Sequence, residues 1–217
     1  MEPSINLKQA IEKRRSARAF SKNSIPNVIL EEILRLGMMA PSGFNLQPWR
    51  FIVVKKQENK ERLKACAFNQ RQVGEAPVVL ICCGDRHVSK PEYIESIIEL
   101  RKEHEAINDT YADYMKNSIP KMFESPSSFE SMEAWINRQV MLAVAQIMLV
   151  SSSFGVDSCP LEGFIASQVK EAFNIPEQVD VCCLLAMGYA AEPFKKYGGR
   201  LSLSQVCFQE TYGQNFV

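Results

Sequence analysis

The chain has 217 residues and a mass of 24.6 kDa, enough for one well-buried core, and at roughly 100–200 residues per domain it reads as a single domain over 1–217. Its 25 Lys and Arg balance 25 Asp and Glu, so no global field gathers nucleic acid or an anionic membrane surface. Seven cysteines without a CxxC or Cys/His cluster argue against a zinc or iron–sulfur site.

The N-terminal stretch MEPSINLKQAIEKRR has no apolar run of signal-peptide length, and the most apolar segment, Val140 to Val150, is about half the length that spans a bilayer. A soluble, cytoplasmic protein is expected. In chain order, Ile5 to Lys13 reads as a helix with Leu7, Ala10 and Ile11 on one face. A second helix follows Ser24 as cap and Pro26 in the first turn, keeps Leu30, Ile33, Leu34 and Gly37 in helical spacing, and stops before Pro41. Phe51 to Val54 reads as a strand, Glu58 to Ala67 as a helix, and Pro77 to Cys83 as a fully buried strand.

The 90–131 stretch is polar and weakly helical, broken by Pro120 and by turn residues from Glu124 to Ser128. It reads as an excursion from the core that could cover a site. Met132 to Phe154 is the strongest helix, apolar nearly all round from Val140 and stopped by Gly155, and it is expected at the centre of the core. Val181 to Met187 reads as a third buried strand. Cys82–Cys83 and Cys182–Cys183 lie in such strands, where neighbours point to opposite faces, as small core residues of a reducing compartment. The tail after Gln205 carries Phe208, Tyr212 and Phe216, too apolar for solvent.

Three stretches have residues suited to a polar ligand. In RRSARAF, Arg14 to Phe20, three guanidiniums and the Ser16 hydroxyl lie within five residues and can make several charge-assisted hydrogen bonds to a phosphate; a solvated basic turn at a helix C-terminus is the blander account. In APSGFNLQPWRF, Ala40 to Phe51, Pro41, Gly43 and Pro48 fix an irregular backbone while Ser42, Asn45 and Gln47 offer donors and acceptors for a heterocycle. Loop packing anchored by Trp49 is the alternative. DSCPLEGF, Asp157 to Phe164, reads as a turn shaped by Pro160 and Gly163, where Gly163 lets backbone approach a flat ligand; Glu162 is either a general base or an exposed loop carboxylate. His87 and His104 lack a Ser or Cys partner, which disfavours hydrolase chemistry.

Taken in order and spacing, the Arg-Arg-Ser-x-Arg opening, the Pro-Ser-Gly-x-Asn-x-Gln-Pro-Trp loop, the Pro-Leu-Glu-Gly-Phe turn and the late arginine of GGRL resemble the nitroreductase family from Leu7 to Arg200. The resemblance implies an α+β fold, a central mixed β-sheet flanked by helices, in an intertwined homodimer whose 201–217 tail embraces the partner. It implies FMN at the subunit interface and NADH or NADPH as donor. Arg14, Arg15, Ser16, Arg18 and Arg200 would hold the phosphate and ribityl chain. Pro41, Ser42, Gly43 and Asn45 would reach the flavin of the other subunit, with Gln139 on that crossing side. Asn69 would meet the isoalloxazine edge, and Pro160, Leu161, Glu162 and Gly163 would lie against the ring, the Glu162 N–H facing N5.

No side chain is then needed as catalyst, since hydride passes through flavin N5 by a ping-pong route to nitroaromatic, quinone or flavin acceptors. Two departures bear on the donor: some relatives have lysine where Gln72 falls, and lysine where Gly198 falls. A reductive dehalogenase or flavin-consuming enzyme on the same scaffold, and a flavin store or sensor without turnover, remain alternatives.

Overall fold

A computed structural model describes residues 5–124 and 130–216. Helix α1 (Leu7–Lys13) opens on a capping box in which the Gln9 N–H donates to Asn6 Oδ1 at 3.0 Å and the Asn6 N–H donates to Gln9 Oε1 at 3.3 Å. Of its apolar face only Ala10 is buried, while Leu7 and Ile11 are 63% and 53% exposed. Helix α2 (Asn27–Gly37) takes Pro26 as its N-cap, with no side-chain cap from Ser24. Its buried stripe of Leu30, Ile33 and Gly37 follows the expected spacing.

Strand β1 (Trp49–Val54), helices α3 (Gln57–Cys66) and α4 (Arg71–Glu75), and strand β2 (Val78–Asp85) follow, then α5 (Pro91–Glu103), α6 (Asp109–Glu124) and α7 (Met132–Ser153). The chain continues with β3 (Asp157–Leu161), α8 (Ala166–Phe173), β4 (Val179–Gly188) and the short α9 (Leu203–Val206). The sheet order is β1-β2-β4-β3. All three strand pairs are antiparallel, so the expected mixed sheet is antiparallel here; parallel pairing among the described residues is confined to an isolated bridge between Ser16 and Ser158.

Two hydrophobic clusters cover the two faces of this sheet. Val78, Leu80 and Cys82 pack with α2, α5, α6 and α7, whereas Val79, Ile81 and Cys83 pack with α3, α4 and α8. Burial on both faces explains why β2 reads as an unbroken apolar run rather than an alternating one. The adjacent cysteines behave as expected in β2 only. In β4 the register steps from Cys183 opposite Cys82 to Val181 opposite Cys83, so Cys182 is bulged out and packs on the α7 side together with Cys183. All seven thiols are free.

Three further expectations are corrected. The 90–131 excursion is two ordered helices whose Ile94, Ile97, Ile98, Ala112, Met115 and Ile119 are buried in the α7-side core. Pro120 sits inside α6 without ending it; the turn predicted at 125–128 lies outside the described residues. DSCPL is strand β3 rather than turn, which makes Val179–Gly188 the fourth strand.

Helix α7 is long and apolar enough to cross a membrane, yet Trp135, Ile136, Val140, Ala143, Val144 and Ile147 are buried against the sheet. It is the core helix that the sequence suggested. One face stays open: Leu7, Pro41, Leu142, Leu149 and Val150 line an apolar cavity of about 510 Å³. The tail is also unpacked, with Leu201, Leu203 and Val206 more than half exposed and Tyr212 at 93%.

Candidate functional site

Strand β3 gathers the first group of candidate residues. Past the end of α1, the Ala17 N–H donates to the Ser158 carbonyl at 3.2 Å, which draws Arg14 to Arg18 alongside the strand. Arg18 Nη1 donates to Cys159 Sγ at 3.6 Å. Burial pushes the Cys159 thiol up from its ordinary value, opposed by Arg18, Gln72, Arg14 and Ser16.

At the end of β3 the chain turns through Glu162 and Gly163. Gln70 Nε2 donates to the Gly163 carbonyl at 2.6 Å, and the Ile165 N–H donates to Cys66 O at 2.9 Å. A methyl on Gly163 would lie 3.2 Å from Gln70 Nε2, so the 68–70 loop and the 160–163 turn are fitted together. Asn69 is thereby brought beside Gly163. Glu162 is exposed and makes no ion pair among the described residues, giving its carboxylate no partner for acid–base work.

The late arginine joins the early ones. Arg15 Nη1 donates to Glu12 O and Arg14 O, each at 2.8 Å, and its guanidinium lies 4.6 Å from the centre of the Tyr197 ring; that of Arg200 lies 5.5 Å from the same ring. Arg14, Arg15, Tyr197 and Arg200 line a cavity of about 450 Å³. Glu12 also lines it, turned to Lys8 at 3.9 Å. By contrast with Arg35, Arg50, Arg71 and Arg86, each paired with a carboxylate, none of Arg14, Arg15, Arg18 and Arg200 forms an ion pair among the described residues. Arg14, Arg15 and Arg200, unpaired around one cavity of a chain of zero net charge, make a locally positive surface of a kind that suits an anion.

The second group lies elsewhere on the subunit. The Gly43 N–H donates to Gln139 Oε1 at 2.9 Å, and the Gln47 N–H donates to Ser42 Oγ at 2.9 Å. A methyl on Gly43 would lie 3.0 Å from Trp135 Cζ2, so the loop is pressed onto α7. Phe44, Asn45 and Gln47 hold φ values of 53°, 61° and 45°, left-handed backbone that costs of order 1–3 kcal/mol per non-glycine residue and clusters at functional sites. Phe68 and Asn69 are also left-handed, at 51° and 56°.

The structure thus brings Arg14, Arg15, Ser16 and Arg18 alongside β3 and Arg200 to Arg14 and Arg15, and it sets Phe68 and Gln70, the neighbours of Asn69, against Gly163. It unites Pro41, Ser42, Gly43 and Asn45 with Gln139. Among the described residues no cavity is lined by both sets: those containing Arg14 include none of the second group, and the one containing Pro41 includes none of the first, although Leu149 and Ile5 border both sides. Sequence reading missed Tyr197, Gln70 and Ser158. An aromatic three residues before the late arginine was the available signal for Tyr197; Ser158 gave none. His87 pairs with Glu92 at 3.1 Å and His104 caps α5, both exposed.

The family model described as Nitroreductase family matches residues 11–189. An NADH dehydrogenase of Thermus thermophilus is 33% identical over 190 residues, 88% of this chain and 89% of that protein. A Bacillus subtilis protein assigned as an NAD(P)H nitroreductase is 30% identical over 202 residues, covering 93% and 97%. A structure from Exiguobacterium sibiricum, assigned as a nitroreductase and solved in complex with FMN, is 26% identical with a TM-score of 0.85, covering 96% of this chain and 99% of that one. The fold described above is therefore the nitroreductase fold, and the chain belongs to the nitroreductase family.

Proposed function

We propose that this protein is a cytoplasmic, homodimeric FMN-dependent oxidoreductase that takes reducing equivalents from NADH or NADPH and delivers them to nitroaromatic, quinone or flavin acceptors. The observation that carries the reading is the convergence of Arg14, Arg15 and Arg200 on one cavity without ion-pair partners, a donor set suited to a phosphate. FMN, present in the Exiguobacterium relative, supplies the redox chemistry when bound.

The chain's own residues bind, orient and exclude water. Arg14, Arg15, Ser16, Arg18 and Arg200 hold the phosphate and ribityl chain, and Tyr197 keeps two of these guanidiniums in place. Pro160, Leu161, Glu162 and Gly163 support the ring, positioned by Gln70, with Asn69 at its edge. Glu162 serves through its backbone N–H, since its side chain is exposed. Donor and acceptor use the same face in turn, which gives ping-pong kinetics.

Pro41, Ser42, Gly43, Asn45 and Gln139 complete the site of the other subunit. Supporting this are the lack of a cavity lined by both these residues and the arginines among the described residues, the open apolar face at Leu142, and a tail whose Leu201, Leu203 and Tyr212 find no cover on their own subunit. Seven free thiols suit a reducing compartment.

A visible absorption spectrum of the purified protein, followed by anaerobic addition of NADH and separately of NADPH, tests the reading. Flavin bands that bleach with either donor are expected, and a protein that binds no FMN even when it is supplied rejects it.

A further inference from the structure

We propose that the Ser158 hydroxyl is a further contact for the cofactor, donating a hydrogen bond to the FMN phosphate from the floor of a cavity beside Arg14 and Arg15; this rests on the FMN reading above. Ser158 is 1% exposed, and its Oγ is the side-chain polar atom that is both buried and without a hydrogen-bond partner among the described residues. Buried hydroxyls are almost always paired, because one that is not has lost water without compensation. A partner from outside the chain resolves that.

The surroundings say which partner. Ser158 lines a cavity of about 250 Å³ with Lys13, Arg14, Arg15, Ser152 and Asp157. That volume falls short of the roughly 300–1,000 Å³ of sites that take a whole small ligand, so it accepts a head group; Arg14 and Arg15 also line the cavity of about 450 Å³ with Arg200, so the phosphate lies where the two adjoin. Three cations face one carboxylate, and Asp157 Oδ2 is engaged by the Ala190 N–H at 2.8 Å. Ser152 Oγ is engaged too, donating to Ala10 O at 3.1 Å. Ser158 is left as the hydroxyl free to donate to an anion.

Strand geometry gives the same direction. Cys159 and Leu161 belong to the cluster on the α3 and α8 side, so alternation sends Ser158 and Pro160 to the opposite face, about 6.6 Å apart along the strand. With Pro160 against the flavin ring, Ser158 stands one step further back, where Arg14 and Arg15 are. A phosphate at the far end of the ribityl chain lies on that side of the ring.

The test is Ser158→Ala, measured as FMN and riboflavin affinity of the cofactor-free dimer by flavin fluorescence. Riboflavin has the same ring and chain without the phosphate. The proposal expects FMN affinity to fall by roughly 10-fold or more with riboflavin affinity unchanged, and the cofactor-free variant to melt no lower than wild type, since an unsatisfied hydroxyl has been removed. As a second probe, inorganic phosphate should raise the melting temperature of cofactor-free wild type more than that of the variant. Unchanged FMN affinity, or equal losses for FMN and riboflavin, would overturn the Ser158 contact while leaving the FMN reading intact. Wild type that binds no FMN overturns both.

Discussion

Removing Arg14 or Arg200 separates two arginines that look alike in sequence. Both line the cavity of about 450 Å³, but Arg14 is half-buried and Arg200 is exposed. A charge-assisted hydrogen bond in a water-poor site is worth about 1.5–3 kcal/mol, so Arg14→Ala should weaken FMN binding roughly 10- to 150-fold. The same bond from an exposed, screened side chain is worth about 1 kcal/mol or less, so Arg200→Ala should cost only about 5-fold. Fluorescence titration of both cofactor-free variants with FMN and riboflavin, at low and high salt, reads these values. Riboflavin affinity should hardly move, and salt should erase the Arg200 contribution first. If both substitutions touch one phosphate, the double variant will depart from additivity. Unchanged FMN affinity in both variants, with melting temperatures preserved, would refute the phosphate assignment.

Packing, assembly and pH give the other predictions. A methyl at Gly37 would lie 2.2 Å from Ile147 Cγ1, far inside the ordinary ~3.5–4.0 Å carbon contact. Gly37→Ala should therefore lose up to about 2 kcal/mol in urea unfolding, an overpacking cost of about 1–3 partly offset by a helix-propensity gain of about 1; a variant stabilised by the full propensity gain would show that α2 and α7 are not in close contact. Leu142→Lys, at 46% exposure on the open apolar face, should sediment as a monomer and lose FMN on gel filtration, and a monomer that keeps FMN would contradict a site built across subunits. Burial raises the Asp157 carboxyl, opposed by the Ala190 N–H. Its folded-state value lies above the unfolded one, so the folded chain holds the proton longer and stability falls as pH rises through the carboxylate range. Asp157→Asn should raise the melting temperature at neutral pH and narrow its gap from mildly acidic pH; an unchanged gap would count against the buried carboxyl as its source.

The elements were legible wherever periodicity and a breaker agreed. In α2 the stripe of Leu30, Ile33 and Gly37 carried the assignment, and in α7 the run from Val140 to Gly155 did. Strand β3 was not legible. Pro160 and Gly163 are turn residues by propensity, yet DSCPL pairs with β4 from Asp157 opposite Gly188 to Leu161 opposite Leu184; an edge strand tolerates a proline because its outer N–H groups need no partner. The 90–131 region misled for the opposite reason. Its helices α5 and α6 carry narrow stripes, Ile94, Ile97 and Ile98 facing Ala112, Met115 and Ile119, and these count as core only once the two helices are paired. The bulge at Cys182 is a register effect between strands, invisible to alternation within one.

Residue types marked the candidate site better than they marked its backbone. Glycine and proline mark these loops in the sequence, but the left-handed positions within them belong to Phe44, Asn45, Gln47, Phe68 and Asn69, where glycine would be easier. A plain connection would place glycine there and keep the stability. These loops instead hold side chains in unfavourable backbone, and each is fixed by a specific partner: Ser42 Oγ and Gln139 Oε1 for the first, Lys64 O accepting the Asn69 N–H at 3.0 Å for the second. Backbone held against its own preference by dedicated hydrogen bonds is organised before any ligand arrives. In one subunit no cavity among the described residues is lined by both the first loop and the arginines, whereas Gln70 of the second loop is bonded to Gly163 just past β3. If, as proposed, the first loop completes the site of a second copy of the chain, dimerisation is a condition of that site and not an addition to it.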